Sequence, residues 1–362
     1  MKKLFPLLLA LALLLSACGR REETPPDPAQ NPPAETEEPS GVPPITEEHP
    51  LELDILRIEV CRSGLGSERL MEAAQALPEL MRDALAVHNV LVDLVQVTIG
   101  SSPAATVQAL EAGTVDIAIL PAEGFAGQET EAEVLLASGP AAGDSPLWTD
   151  GNRGFSTTLW TAPTDCGLEL AGRMGKEGEL PAWEELNRPR WGLLDRDSLP
   201  GRRAVDLWLS DHYEGRTTAD LSNAAVYADF EALLQAAEAG EIDVYLRDAA
   251  KEEGPSQTSS ARLGETERFY DMVLAVSPRQ EILSNPDLNL RDSLMFTLTQ
   301  LCFYDGTQTL PDGTPAFPGR GYDRETRMLC QDVFGACRYG WAKNEDLDAA
   351  RRLLALEGHA AD

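Results

Sequence analysis

Positive charge is scarce in this chain of 362 residues: 30 lysines and arginines face 60 aspartates and glutamates, a formal net charge of −30. Without a basic face to release counterions from a phosphate backbone, nucleic-acid binding is excluded. Long apolar runs are missing too, apart from one at the extreme N-terminus, which argues against a polytopic membrane protein. The four histidines (His49, His88, His212, His359) are scattered, and none stands at metal-ligand spacing from another, so no metal site is expected. No P-loop, G-x-S-x-G elbow or H-E-x-x-H is present. Ser63-Gly64-Leu65-Gly66-Ser67 lacks the third glycine of a dinucleotide fingerprint. Acidic pairs such as Asp195/Asp197 and Asp346/Asp348 read as solvated surface. With no nucleophile–base pattern, the expectation is a protein that is not an enzyme and carries no cofactor.

What is present begins with an address. Met1-Lys2-Lys3 is basic, and Leu4 to Ser16 is apolar, the length of a signal-peptide core and too short to span a bilayer comfortably. It ends in Leu15-Ser16-Ala17-Cys18-Gly19, which resembles a bacterial lipobox. Cys18 would become the lipidated N-terminus, with acyl chains enough for stable anchoring. Residues 1–17 are therefore expected to be a lipoprotein signal peptide, and 18–50 a tether. Paired prolines (Pro25-Pro26, Pro32-Pro33, Pro43-Pro44) and an excess of carboxylates keep such a segment extended.

From Leu51 apolar strands alternate with helical stretches. Strands are predicted at Ile55–Cys61, Val90–Ile99 and Val115–Leu120, with helices at Glu68–Ala86 and Pro103–Ala112. Ser67 reads as the cap of the first helix, and Pro78 predicts a kink or break within it. Such alternation means parallel strands joined by helical crossovers. An internal echo suggests two similar lobes: Val107-Gln-Ala-Leu-Glu-Ala-Gly-Thr-Val-Asp-Ile-Ala-Ile-Leu120 is answered by Leu233-Leu-Gln-Ala-Ala-Glu-Ala-Gly-Glu-Ile-Asp-Val-Tyr-Leu246. Each is a helix, a glycine stop and a buried strand opening on Asp116 or Asp243. Strands at Ser156–Pro163 and Met272–Pro278 would carry the chain between lobes as a two-strand hinge. The rest, from Arg279, reads as mostly helical, with a surface loop over Asp305–Tyr322.

Besides Cys18 there are Cys61, Cys166, Cys302, Cys330 and Cys337, an odd set that cannot all pair. Cys302, Cys330 and Cys337 flank one loop and fit a single bridge among them, the pairing left open; Cys61 reads as a buried free thiol.

Ligands of parallel α/β lobes bind at the carboxyl ends of strands, where helix N-termini point. Three turns qualify: Arg62–Ser67, with Ser63 and Gly64; Gly100-Ser101-Ser102-Pro103, with Ser102 as cap; and Asp195–Arg203, with Ser198, Gly201, Arg202 and Arg203, ahead of a helix over Ala204–His212. Amide donors, hydroxyls and a helix dipole together suit an oxyanion. The net charge does not forbid this, because remote carboxylates are screened beyond about 8 Å at physiological salt.

Lipobox, tether and body together resemble the extracytoplasmic solute-binding proteins of ABC transporters, within them the phosphate/phosphite/phosphonate-binding group. The resemblance runs from about Leu56 to Arg279. It is carried by Leu56-Arg-Ile-Glu-Val60, Ala74-Gln-Ala-Leu-Pro-Glu-Leu-Met81, Asp116-Ile-Ala-Ile-Leu-Pro-Ala-Glu-Gly-Phe125, Leu159-Trp-Thr-Ala-Pro-Thr-Asp-Cys-Gly167, Trp183-Glu-Glu-Leu186 and Trp191-Gly-Leu-Leu-Asp195. It implies an α/β, two-lobed periplasmic-binding-protein-like (Venus-flytrap) fold, each lobe a mainly parallel sheet flanked by helices. Lobe 1 would span 51–157 and lobe 2 158–277 with hinge strands at its ends, while 278–362 would form a helical region packing mainly on lobe 1. Glu123, Phe125, Ser156 and Asp248 would then join the turn residues in the cleft. Leu199-Pro200 stands where the family has small hydroxyl residues, and Phe125 where it often has tyrosine. The implied partners are a small anionic solute and an ABC permease, met by a monomer lipid-anchored on the extracytoplasmic face of a bacterial membrane. Open alternatives are an amino acid, sulfonate or pyrimidine precursor as ligand, or a sensor or adhesion lipoprotein.

Overall fold

The computed structural model of the chain describes residues 44–62, 64–139, 154–174, 180–251, 261–310, 312–335 and 338–360. The expected signal peptide, Cys18, most of the expected tether, Ser63 and Cys337 lie outside the described residues. No helix among the described residues is long and apolar enough to cross a membrane.

Two sheets organise the body, with strands numbered along the chain. The first contains β1 (Leu51–Val60), β2 (Val90–Ile99), β3 (Ile117–Pro121), β4 (Glu133–Gly139), β10 (Met272–Val276) and β11 (Arg338–Trp341), in the order β2-β1-β3-β10-β4-β11. The second contains β5 (Thr157–Thr161), β6 (Trp191–Leu193), β7 (Ala224–Val226), β8 (Val244–Asp248) and β9 (Ala261–Glu265), in the order β7-β6-β8-β5-β9. This is a two-lobed α/β fold, and both sheets follow one plan. β1 runs parallel to β2 and β3, as β6 does to β7 and β8. β10 runs antiparallel to β3 and β4, as β5 does to β8 and β9. A register shift even falls at the same step, Leu274/Ala275 in one and Leu159/Trp160 in the other.

Each sheet is thus mixed rather than mainly parallel. The reason is that each takes in a strand belonging to a crossing segment, which enters reversed. For the same reason β10, grouped by sequence with the second lobe, pairs in the first sheet. Beside it the two crossings are bonded together: Phe155 and Phe269 exchange N–H···O=C bonds of 2.8 and 2.9 Å. Gly154 (φ +72°) is required there, since a Cβ would stand 2.7 Å from the Phe269 carbonyl oxygen.

Helix α1 (Ser67–Val87) begins after Gly66, which holds the cap position expected of Ser67, and it continues through Pro78 without a break. A proline inside a helix costs about 3 kcal/mol. Ala73, Leu77, Met81, Ala84 and Leu85 are all buried on one stripe against the first sheet, on both sides of the proline. At about 1.5–3 kcal/mol for each large side chain, that burial outweighs the lost bond. Helix α2 (Pro103–Ala112) is capped by Ser102 and stopped by Gly113 at φ +70°. Its counterpart α7 (Phe230–Glu238) is capped by Asp229, and Gly240 follows at φ +71°. Between them lie α3 (Ala122–Ala126), α4 (Asp165–Arg173), α5 (Trp183–Leu186) and α6 (Ala204–His212).

Beyond β10 come α8 (Glu281–Ser284), α9 (Leu290–Phe303), α10 (Arg324–Phe334) and α11 (Asp348–Ala360). Leu294, Leu298 and Leu301 of α9 and Leu329, Val333 and Phe334 of α10 share one apolar cluster with α1 and the first sheet. Strands β4 and β11 extend that sheet, and sequence reading had given neither. Cys61, Cys166, Cys302 and Cys330 are unbridged thiols. Burial pushes the Cys330 thiol up to about 12.

Candidate functional site

The turn between β6 and α6, with α6 itself, meets the first lobe. Ser198 caps a single π-turn, Leu199–Arg203, its Oγ accepting the Gly201 N–H at 3.2 Å. Its carbonyl accepts the N–H groups of Arg202 (2.9 Å) and Arg203 (3.2 Å). The turn packs hard on Leu194, just past β6: a Cβ on Gly201 would sit 2.3 Å from its side chain, which only glycine avoids. From the crossing strand, Thr157 Oγ1 donates to the Pro200 carbonyl at 2.5 Å. Ser198, Gly201 and Arg202 of the sequence-predicted residues therefore share one turn of the second lobe, tied to the crossing strand through Thr157. Ser156 precedes Thr157 in the chain, and Asp248 stands opposite Thr157 in the β5–β8 register. The Ser156 hydroxyl donates to Glu265 at 2.5 Å, and Asp248 accepts the Ala250 N–H at 3.0 Å.

In the first lobe, Ser102 Oγ accepts the Ala105 N–H at 3.2 Å, and Ser101 beside it is exposed. Gly124 lets α3 close on this helix start, since a Cβ there would meet Pro103 at 2.6 Å. Phe125 is fully buried and Glu123 half-buried. Gly64 (φ +87°) lies in an open turn next to Arg62, whose guanidinium reaches Asp271 at 3.3 Å. The structure therefore places Ser102 near Glu123 and Phe125 in the first lobe and Ser198, Gly201 and Arg202 in one turn of the second, with Ser156 next to Thr157 in the chain and Asp248 opposite it.

The lobes meet through Arg203. Its Nε and Nη2 donate to the two carboxylate oxygens of Glu357 at 2.6 and 2.9 Å, and its Nη1 donates to Glu123 at 2.9 and 3.1 Å. The Glu357 hydrogen bonds raise the guanidinium pKa; burial opposes this, and Glu123 adds to it. Apolar contact surrounds the pairs: Ala204 and Leu207 of α6 belong to the same cluster as Phe125 and Leu353. Beside Arg203 opens a groove of about 1000 Å³ lined by Arg196, Arg202, Asp197, Asp206, Thr217, Thr218 and α11. Arg196 and Arg202 make no ion pair among the described residues. Burial pushes the Asp206 carboxyl up, against hydrogen bonds from the Thr218 hydroxyl at 2.5 Å and its N–H at 2.7 Å. Chemically, this is a wall of guanidinium donors and hydroxyls, with three carboxylates among them: Asp197, Asp206 and Glu357.

Sequence reading missed Glu357 and the Asp206–Thr218 pair. Glu357 lies 154 residues from Arg203, and no local pattern announces such a contact. The two echo aspartates turn out to be structural, each locked to the neighbouring strand by Arg57 or Arg190.

No family model and no curated protein matches the sequence. Solved structures similar to the chain include a binding protein component of an ABC phosphonate transporter from Pseudomonas aeruginosa, 13% identical, covering 84% of this chain and 87% of that one, at a TM-score of 0.34. Another is a Prochlorococcus marinus protein in complex with methylphosphonate, 12% identical, covering 84% and 98%, TM-score 0.36. A third is a Xanthomonas citri protein bound to ATP, 11% identical, covering 83% and 99%, TM-score 0.34. At that overlap the fit carries no argument about ligand or role. The two-lobed α/β fold stands on the chain's own pair of matching sheets.

Proposed function

We propose that this chain is the solute-capturing component of an ABC importer. It is anchored through a lipid on Cys18 to the extracytoplasmic face of a bacterial membrane, and it takes up a small oxyanion between its lobes without transforming it. The observation that carries the reading is the groove beside Arg203, where Arg196 and Arg202 face open space at the junction of two matching lobes. Charge-assisted hydrogen bonds contribute about 1.5–3 kcal/mol each. A few of them outweigh a remote and screened net charge. Closure follows only if a solute touches both lobes, because a ligand shifts an equilibrium by its differential affinity and no more.

A second reading has its own observation: Asp197 and Asp206 line the same groove, which suits the ammonium of a zwitterionic solute such as an amino acid. A thermal-shift panel of phosphate, phosphite, methylphosphonate, aminoethylphosphonate, sulfonates and amino acids separates the two. At a hundred times Kd a ligand adds about 2.7 kcal/mol, a shift of several degrees for lobes of this size. Stabilisation by phosphorus oxyanions, lost in Arg202→Met and Ser198→Ala, is the expected result. Stabilisation by amino acids alone favours the zwitterion. Silence across the panel overturns solute capture and leaves a sensor or adhesion lipoprotein. Membrane release by Cys18→Ser tests the anchor.

A further inference from the structure

Helix α11 belongs to the first lobe by its packing and to the second by its charges. Ala349, Ala350 and Leu353 are buried in the cluster that contains Phe125. From the same helix Arg352 pairs with Asp211 of α6 at 2.8 Å and also with Glu267 of the return crossing. Glu357, one turn beyond Leu353, fills the guanidinium fork of Arg203, and Glu123 of α3 takes its remaining face. A bidentate carboxylate in that fork has the geometry an oxyanion ligand would adopt. The other contact described between α6 and the first lobe, Ala204 and Leu207 in the cluster of Phe125, is apolar.

We propose that α11 is an electrostatic latch, holding the second lobe against the first without solute, with Glu357 as the internal occupant of an anion site on Arg203. The competing class of ligand is a small, planar or tetrahedral oxyanion; this half of the inference rests on the reading above, whereas the latch itself does not. The pairs are partly exposed, with Arg203 at 20%, Glu357 at 40% and Arg352 at 43% of full side-chain accessibility. An exposed pair of this kind biases a two-state population by up to about fivefold. Three together give a bias on the order of tenfold to a hundredfold, and salt weakens it.

Small-angle X-ray scattering of the purified full chain tests the latch with no ligand present. Wild type is expected to be compact at low salt and to expand at 1 M NaCl. The double variant Glu357→Gln/Arg352→Met should be expanded at both, with helical circular dichroism unchanged, and Glu357→Asp should stay compact. Equal radii for wild type and double variant, insensitive to salt, overturn the latch. Titration with methylphosphonate tests the occupant: Glu357→Gln should bind about threefold to tenfold more tightly than wild type, since the masked fraction is released, and Arg203→Met should lose binding. Equal or weaker binding by Glu357→Gln overturns the competition. Expansion of the variants with no anion bound by any of them leaves the latch standing and removes the solute reading instead.

Discussion

In the first sheet Asp116 accepts the Arg57 N–H at 2.8 Å while its own N–H donates to the Arg57 carbonyl at 2.9 Å. In the second, Asp243 accepts the Arg190 N–H at 2.8 Å and donates back to the Arg190 carbonyl at 2.8 Å. Both carboxylates also receive the arginine side chain, and both backbone carbonyls accept from the residue that follows the crossing strand, Ser277 or Ala162. A third side chain then differs: Gln280 donates to Asp116 at 2.7 Å, and Thr164 to Asp243 at 2.6 Å. The clasp holds a re-entering strand at the same point of each sheet, and the lobes diverge in what is built around it. The first lobe adds β11 and α9 to α11 over two larger clusters in which aliphatic side chains far outnumber aromatic ones. The second fills one cluster with Trp160, Trp191, Trp208, Tyr213 and Tyr245. A smaller lobe thus reaches its core volume with fewer, larger side chains, so single truncations there should weigh more.

The largest expected effect breaks that comparison outright. Trp191 is fully buried and its indole N–H donates to the Leu186 carbonyl at 3.0 Å. Trp191→Ala should cost about 3–5 kcal/mol and separate urea unfolding into two steps, the second lobe going first; one unsplit transition contradicts the partition of the core. Next come the clasps. Asp116→Asn and Asp243→Asn each leave a charged hydrogen-bond network half satisfied, so each should cost about 1.5–3 kcal/mol, and near-equal losses would establish their equivalence. Smaller again are the caps of the matching helices: Ser102→Ala and Asp229→Ala should each cost about 1 kcal/mol in the same assay.

The pH dependence is the finest test. Burial raises the Asp243 pKa, but the bonds from Arg190 and Thr164 outweigh it and hold the carboxyl below its usual 3.8. A depressed folded-state pKa gives stability that is complete above the unfolded value and is lost as pH falls through the folded one. Thermal scans from pH 5 downward should show the wild-type advantage over Asp243→Asn shrinking below about pH 4. A constant difference would mean that the clasp acts through shape alone.

Much of this was legible from the chain because local rules fixed it. β2, α2 and α6 lie at Val90–Ile99, Pro103–Ala112 and Ala204–His212, as β-branched runs, the Ser102 cap and the Gly113 stop dictate. The echo around Asp116 and Asp243 gave the duplication, since each aspartate marks the same clasp. Pro78 did not break α1, because tertiary burial outweighed a backbone preference. Strand β11 was hidden in four residues, Arg338–Trp341, whose partner in β4 lies some two hundred positions earlier. At the candidate site the turns could be read, for caps are short-range devices. The Glu123–Arg203–Glu357 bridge could not, because it exists only once three distant helix ends are brought together.

Hydrogen exchange with and without phosphorus oxyanions tests the central claim, that one solute is gripped by both lobes. The amides to follow are those of Thr218, whose N–H donates to Asp206 on the second-lobe wall of the groove, and of Leu353 and Glu357 on its α11 wall. Saturating oxyanion should slow exchange at both walls together. Slowing confined to one lobe, or at neither with any oxyanion in the panel, would contradict the account.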